Sequence, residues 1–252
     1  MNSQPLGSKP TSSAADESQP SPAAFVLRGA SVSCLVQQWS FQPRTAQLVL
    51  YHQSRLPALA DLQRWTDRLR EMGYTRVRTT ALAGTAARLA ETAEFLAIQE
   101  LVLLEHIEPK MAGAPSATTH RLLVSQYGKA SAVDVAAFGV AWALEPQAIG
   151  NVCAATPRHR ARGAGAPLAA YAISGRDGRQ GFLQRLAVAP QAQRQGLGRS
   201  LVLDSLRWLN RWRVQRVLVN TPADNEPALA LYENIGFRRL SDRLRVYERA
   251  LA

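Results

Sequence analysis

Two distant stretches of this chain carry the same pattern. "RVRTTALAGTAARLAETAEF" with the later "LVLLEHI" (Arg76 to Ile107) lies over "RVLVNTPADNEPALALYENIGF" with the later "LRVYERA" (Arg216 to Ala250). Arg76 falls on Arg216, Leu89 on Leu231, Glu91 on Glu233 and Phe95 on Phe237, with one small loop insertion between. Each copy reads as strand, helix, strand, so the fold has to house one unit twice. The chain is therefore expected to be a tandem pseudo-repeat of the α/β class, with strands and helices mixed along its length.

The flanking segments extend that reading. "AQLVLYH" (Ala46 to His52) reads as a strand. "ALADLQRWTDRLREMG" places Leu59, Leu62, Trp65, Leu69 and Met72 on one helical face and stops at Gly73. A second helix is expected near Thr85 to Phe95, after the strand "YTRVRTTAL". In the second half the order is helix "GRSLVLDSLRWLNRW", strand "QRVLVNT", helix "EPALALYENIG" and final strand "RLRVYERAL". Ahead of these, "RLLVSQY" and "PLAAYAIS" read as strands, and "SAVDVAAF" and "EPQAIGNVCAA" as short helices. Residues 1–24, rich in Ser, Pro and Ala, are expected to be a disordered tail. The Pro, Gly, Ala and Ser content of "EPKMAGAPSATTH" puts the connector at 110–119, between half-domains 25–109 and 120–252.

Composition excludes several functions. The two cysteines, Cys34 and Cys153, and the four histidines show no metal-ligand spacing, so neither a disulfide framework nor a metal site is expected. The longest uncharged apolar run, Val135 to Leu144, is too short to span a bilayer, and a cytoplasmic location is expected. A net charge of +11 and the clusters "RHRAR" and "RWLNRWRVQR" raise nucleic-acid binding. Arginine is nevertheless spread over the whole chain with only three lysines, so nucleic acid is not the expected partner, and Trp208 and Trp212 read as packing.

The chemistry concentrates in "QRQGLGRSL" (Gln193 to Leu201), between the strand "GFLQRLAVAP" and a helix whose Leu197, Leu201, Leu206 and Leu209 face inward. Glycines where a strand becomes a helix leave main-chain N–H groups free at the positive end of the helix dipole, which suits a phosphate. A Walker A loop would need lysine where Arg199 stands, and a dinucleotide fingerprint would need a third glycine where Leu201 stands.

The remaining composite is Gln-x-x-Gly-x-Gly with Pro190 before it and Asn225, Tyr232 and Gly236-Phe237 after it. It resembles the GNAT superfamily of acyl-coenzyme A-dependent N-acetyltransferases over Arg121 to Leu251, most strongly from Leu186 to Phe237. The resemblance implies a GNAT fold, a mixed and mostly antiparallel central sheet with flanking helices, in tandem form with a degenerate first half. It implies an acyltransferase that moves an acetyl group from acetyl-coenzyme A, its co-substrate, to a primary amine by direct attack in a ternary complex, with no metal.

By the same resemblance Gln193, Arg194, Gln195, Gly196, Leu197, Gly198, Arg199 and the Ser200 hydroxyl hold the coenzyme's diphosphate. Leu186, Ala187 and Val188 hold its pantetheine arm, Asn225 braces the helix near the thioester, and Tyr232 is the acid for the departing thiolate. The strand before the turn reads Gln184 and Arg185 where relatives often carry a glutamate, leaving Glu145, Asp224 and Glu226 as alternatives for the base. The first half has no glycine turn and carries Ala90 where Tyr232 falls, so it is expected to bind no coenzyme and to close off the amine site or complete the sheet. The acceptor is a small-molecule or peptide amine, and a homodimer is left open. The competing reading is an acyl-coenzyme A-binding regulatory protein without turnover, which would not need Tyr232.

Overall fold

The computed structural model describes residues 24–30, 32–49, 56–109 and 113–251. The first half runs β1 (Ala24–Arg28), β2 (Ser33–Trp39), β3 (Gln42–Val49), α1 (Leu59–Glu71), β4 (Arg76–Thr79), α2 (Gly84–Thr92) and β5 (Leu96–Ile107). The second runs β6 (Thr119–Arg121), α3 (Tyr127–Phe138), α4 (Pro146–Ala154), β7 (Arg158–Ala164), β8 (Ala170–Asp177), β9 (Gln180–Val188), α5 (Leu197–Arg211), β10 (Arg216–Pro222), α6 (Glu226–Glu233) and β11 (Arg238–Ala250).

All the strands join one sheet, in the order β1-β2-β3-β4-β11-β5-β10-β9-β8-β7-β6. Pairing is antiparallel except for β3 with β4 and β9 with β10, which occupy equivalent places in the two copies of the repeat. The closing strands are exchanged. β5, which ends the first half, pairs with β10 from Arg216 opposite Ile107 to Pro222 opposite Leu101. β11, which ends the second, pairs with β4 of the first half and with β5. Each half thus finishes its sheet with the other's last strand.

The cores follow the exchange. Leu62, Trp65 and Leu69 of α1 bury against Cys34, Val36, Leu48 and Val77, and Tyr247 and Leu251 of the second half complete that cluster. Leu201, Leu206 and Leu209 of α5 pack with Val217, Leu229 and Tyr232, and the cluster takes in Leu104 of β5. On the other face, α3 and α4 cover Tyr171, Ile173 and Ala187. Each fully buried Leu contributes about 1.5–3 kcal/mol, so removing either exchanged strand strips both halves of core contacts.

Several sequence readings need correction. "RLLVSQY" is not a strand: only Arg121 belongs to β6, Val124–Gln126 form a 3-10 turn, and α3 starts at Tyr127. The Gln126 side chain accepts the Leu123 N–H at 2.9 Å, and Leu123 and Val124 point to solvent, so those apolar residues enter a helix instead of alternating across a sheet. "RHRAR" is strand β7, next to the sheet edge, with Ala161 packed on one core and Arg160 and Arg162 on the other face paired with Asp204 of α5 at 3.1 and 3.4 Å. Trp208 packs against the core, but Trp212 is exposed, with the Arg176 guanidinium 4.5 Å from its ring. Leu50, Tyr51 and His52 of "AQLVLYH" lie outside the described residues, as do residues 1–23 of the expected tail, while Ala24 opens β1. Of the expected connector, residues 113–118 are described, and Thr119 already belongs to β6.

Candidate active site

β9 and β10 are hydrogen-bonded only from Gln180 to Phe182 against Arg216 to Leu218. Beyond that the two parallel strands part, because β8 holds β9 on one side through Val188 and β5 holds β10 on the other through Pro222. A wedge opens in mid-sheet. Leu186, Ala187 and Val188 spend one edge on Ala172, Tyr171 and Ala170 of β8, which leaves the other edge facing the wedge. Leu186 and Val188 line the groove there. The Ala187 side chain points the other way, buried under α3 and α4, so only its main chain is available.

At the end of β9 the chain makes a 3-10 turn at Pro190–Ala192 and enters α5 through two left-handed residues, Arg194 (φ 60°) and Gly196 (φ 78°). Glycine relieves the second of these, since a side chain in that region costs about 1–2 kcal/mol. Gly198 is held by proximity: a Cβ there would stand 3.4 Å from Val188 Cγ2 and 3.5 Å from Leu231 Cδ2, where α5, β9 and α6 converge. The Ala192 and Gln193 N–H groups close the turn on Ala189 O and Pro190 O, and after them the next N–H with a main-chain acceptor among the described residues is that of Ser200, to Gly196 O at 3.0 Å. Among the described residues, the N–H groups of Arg194 through Arg199 therefore have no protein acceptor at the positive end of a helix of 15 residues. Their arrangement matches what an anionic oxygen needs.

The side chains divide around this turn. Gln193, Arg194, Leu197 and Arg199 line the groove, and the Gln193 amide donates to Val188 O at 3.4 Å. The Gln195 amide instead donates to Gln191 O at 3.1 Å, which leaves its main chain as the part that could serve a ligand. Ser200 does not face the groove. It is fully buried, and its Oγ accepts the Ala117 N–H at 2.9 Å and lies 3.3 Å from Ser116 Oγ, so this hydroxyl ties the segment before β6 to α5. Its position in the first helical turn made it look like a phosphate contact, whereas the helix rotation turns it inward.

Across the wedge, Asn225 caps α6, its Oδ1 accepting the Ala228 N–H at 3.2 Å. Two turns on, Tyr232 lines the groove with its ring 5.5 Å from that of Phe237. Burial pushes the Tyr232 phenol above its ordinary range, and the nearby Arg185 charge only partly opposes the shift. The phenol therefore keeps its proton at neutral pH. Asp224 and Glu226 also line the groove, whereas Glu145 is the residue before α4 and does not.

Arg185, on β9, is held by a carboxylate that sequence reasoning missed. Asp134 of α3 is fully buried; its Oδ1 accepts Arg185 Nε at 3.0 Å and the Tyr171 hydroxyl at 2.6 Å. Its Oδ2 accepts the Leu144 N–H at 2.7 Å and a second bond from Arg185 Nη2. Arg185 Nη2 also donates to Trp142 O at 2.9 Å, which fixes the loop between α3 and α4 over the groove. The only sequence signal was an acidic residue within an otherwise apolar helix, "SAVDVAAF". Among the described residues no group of His, Cys, Asp and Glu could hold a metal ion, and no helix is long and apolar enough to cross a membrane.

Residues 116–237 match the model of the acetyltransferase (GNAT) family. Over that span, just under half of its length, the chain carries a domain of this family. Its carboxyl-terminal half carries the match, and the first half joins the fold through the exchanged strands. Among curated proteins, the mycothiol acetyltransferase of Acidothermus cellulolyticus is 47% identical over 53 residues, which is 21% of this chain and 16% of that one. The ribosomal protein bS18-alanine N-acetyltransferase of Escherichia coli is 36% identical over 80 residues, 32% of this chain and 54% of that one. The chain thus aligns with about a sixth of the first relative and about half of the second. Among solved structures, a tandem GNAT protein from the clavulanic acid biosynthesis pathway superposes with a TM-score of 0.64 at 16% identity, covering 92% of this chain and 84% of that one. A GCN5-related N-acetyltransferase from Kribbella flavida gives 0.61 at 12% identity, with 90% of each chain covered. At these identities the two structures establish a shared GNAT fold.

Proposed function

We propose that this GNAT chain transfers an acetyl group from acetyl-coenzyme A to a primary amine by direct attack in a ternary complex. The observation that carries the reading is the run of unaccepted N–H groups from Arg194 to Arg199 at the mouth of a wedge between two parting strands. Those groups, with the Arg194 and Arg199 side chains, fit a diphosphate. The free edge of β9 at Leu186 to Val188 fits an extended arm that carries amides of its own, as an added strand would. When bound there, acetyl-coenzyme A supplies an activated thioester.

The chain's own residues then have three tasks. A main-chain N–H near Val188 steadies the developing oxyanion. Tyr232, a phenol that holds its proton at neutral pH and the more firmly for being buried, is the donor for the sulfur, and Asn225 fixes its height by starting α6 at a set position. Asp224 and Glu226, both on the groove wall, take the amine's proton through water. Family membership and the acetyltransferase names of both relatives support the reaction class; their acceptors differ, so neither name assigns one here.

Titration calorimetry with coenzyme A, together with thiol release from acetyl-coenzyme A and an amine panel, tests the reading. Tyr232→Phe should lower turnover about a hundredfold while coenzyme affinity stays within about twofold. Equal losses in both would refute the acid role, and a protein that binds the coenzyme but releases no thiol with any amine would be a sensor instead.

A further inference from the structure

We infer that the amine acceptor is a polyhydroxylated amine of the amino sugar or aminocyclitol class, held by a wall that the first half supplies. The inference rests on the acetyl-transfer reading above. The groove that contains the wedge has a volume of about 1580 Å³. That exceeds the roughly 300–1,000 Å³ of an ordinary ligand site, so it has room for a second molecule beside the coenzyme arm.

The far wall is the uncovered face of the first half's sheet. Strand register puts Gln37 of β2 opposite Gln47 of β3, Gln47 beside Arg78 of β4, and Arg78 opposite Glu248 of β11. Directly paired residues share a face, so these four form one row. The opposite face carries Val36, Ala46, Leu48 and Val77, packed in the core with α1 and α2. Within the row the charges are already matched, since Arg78 Nε donates to Glu248 Oε2 at 2.6 Å and the guanidinium sits beside the edge-to-face pair of Trp39 and Trp142, 4.6 and 5.3 Å from their ring centres. What remains for a ligand is neutral. Gln37, Gln47 and Gln99 line the groove half-buried, and no protein partner engages their amides among the described residues.

The chemistry of that wall selects its guest. A side-chain amide offers donors and an acceptor together, the complement of adjacent hydroxyls, and indole rings suit the C–H faces of a saturated ring. A lysine or arginine side chain would call for a free carboxylate in this wall, where Glu248 is spent on Arg78; Asp224 and Glu226 stand on the second-half side of the groove, where they serve the reacting amine's proton. A peptide backbone would call for an unpaired strand edge, whereas this wall lies inside a continuous sheet whose edges are β1 and β6.

The test uses the full chain with glucosamine and 2-deoxystreptamine as probes, against alanyl-alanine and Nα-acetyl-lysine amide. Thiol release is measured with acetyl-coenzyme A, and tryptophan fluorescence is titrated with each probe alone. The expected result is turnover with the hydroxylated amines and a fluorescence change that Trp39→Phe diminishes. Gln37→Leu and Gln47→Leu, which remove directly paired neighbours, should each raise KM for glucosamine about five- to tenfold, as losing a neutral hydrogen bond to a buried group does, with kcat and coenzyme affinity within about twofold. Gln37→Asn, which keeps the amide on a shorter stem, should fall between. Turnover confined to the peptide or lysine probes, no fluorescence response to either hydroxylated amine, or an unchanged KM in the leucine variants would overturn the inference. Failure of coenzyme A to bind would strike the acetyl-transfer reading alone, because the fluorescence titration needs no turnover.

Discussion

Replacing Asp134 by asparagine tests whether the buried carboxylate organises the floor of the groove. The side chain has no solvent exposure and accepts four hydrogen bonds, two from Arg185 and one each from Tyr171 and Leu144. Asparagine is nearly isosteric, so packing is preserved and the change isolates charge and acceptor number. Only one oxygen remains, and the new NH2 faces groups that can only donate, either the Leu144 N–H or the guanidinium. Arg185, about four-fifths buried, loses its counter-ion. Breaking such a pair from one side costs about 3–5 kcal/mol. For a chain of this size each kcal/mol moves Tm by about 2–4 °C, so the melting temperature should fall by on the order of 10 °C. Calorimetry of the single variants Asp134→Asn and Arg185→Gln and of the double variant gives a full cycle. The double variant should recover part of the loss, since neither charge is then stranded. A Tm within about 2 °C of the parent for Asp134→Asn, or a double variant equal to the sum of the singles, would show that the ion pair is not what holds this floor.

Two further outcomes follow from the same structure. Gly196→Asp should lower coenzyme A affinity more than a hundredfold while the protein stays folded, because a Cβ at Gly196 meets nothing nearer than Ser116 Oγ at 3.7 Å and the left-handed conformation costs only about 1–2 kcal/mol. Gly196→Ala is the control that separates strain from charge, and calorimetric titration of both decides; equal affinities for the two variants would remove the anion from this turn. Stability should also fall steeply above about pH 10. Burial raises the Tyr171 and Tyr232 phenols and pushes the Cys34 thiol up to about 12. These groups deprotonate first in the unfolded chain, so their contribution is complete below the unfolded values and is lost as pH rises through the window above them. Three such groups amount to about 5 kcal/mol at pH 11. Tyr127, Tyr247 and Cys153 are raised as well and add to the loss, whereas arginine stays charged there and the chain has only three lysines. Urea midpoints from pH 8 to 11 that stay level would contradict this account.

The repeat and the glycine turn were legible because both are local. Helical spacing marked α1 and α5, alternation and turn residues marked β4, β9 and β10, and Asn225 sits at a cap where its short side chain can reach back. Leu186, Gly196, Gly198 and Tyr232 could be singled out together because one continuous stretch of chain carries them to one wedge. β7 was hidden by its arginines, and "RLLVSQY" imitated a strand because a short apolar run has no period of its own. Ser200 went astray for a related reason: sequence places it in the first turn of α5, but which way a first-turn side chain points depends on how the helix is rotated against its neighbours.

The sequence by itself determined the GNAT domain of the second half, the strand–helix–strand unit used twice, and the turn whose N–H groups are left without acceptors among the described residues, since each depends on residues within a few turns of one another. Tertiary structure alone decided that β5 and β11 change places, that Asp134 reaches Arg185, and that Gln37 and Gln47 share the groove with Tyr232. Those contacts join residues tens to more than a hundred positions apart. They are fixed by strand pairing and burial summed over the whole sheet, a quantity that no local pattern of side chains encodes.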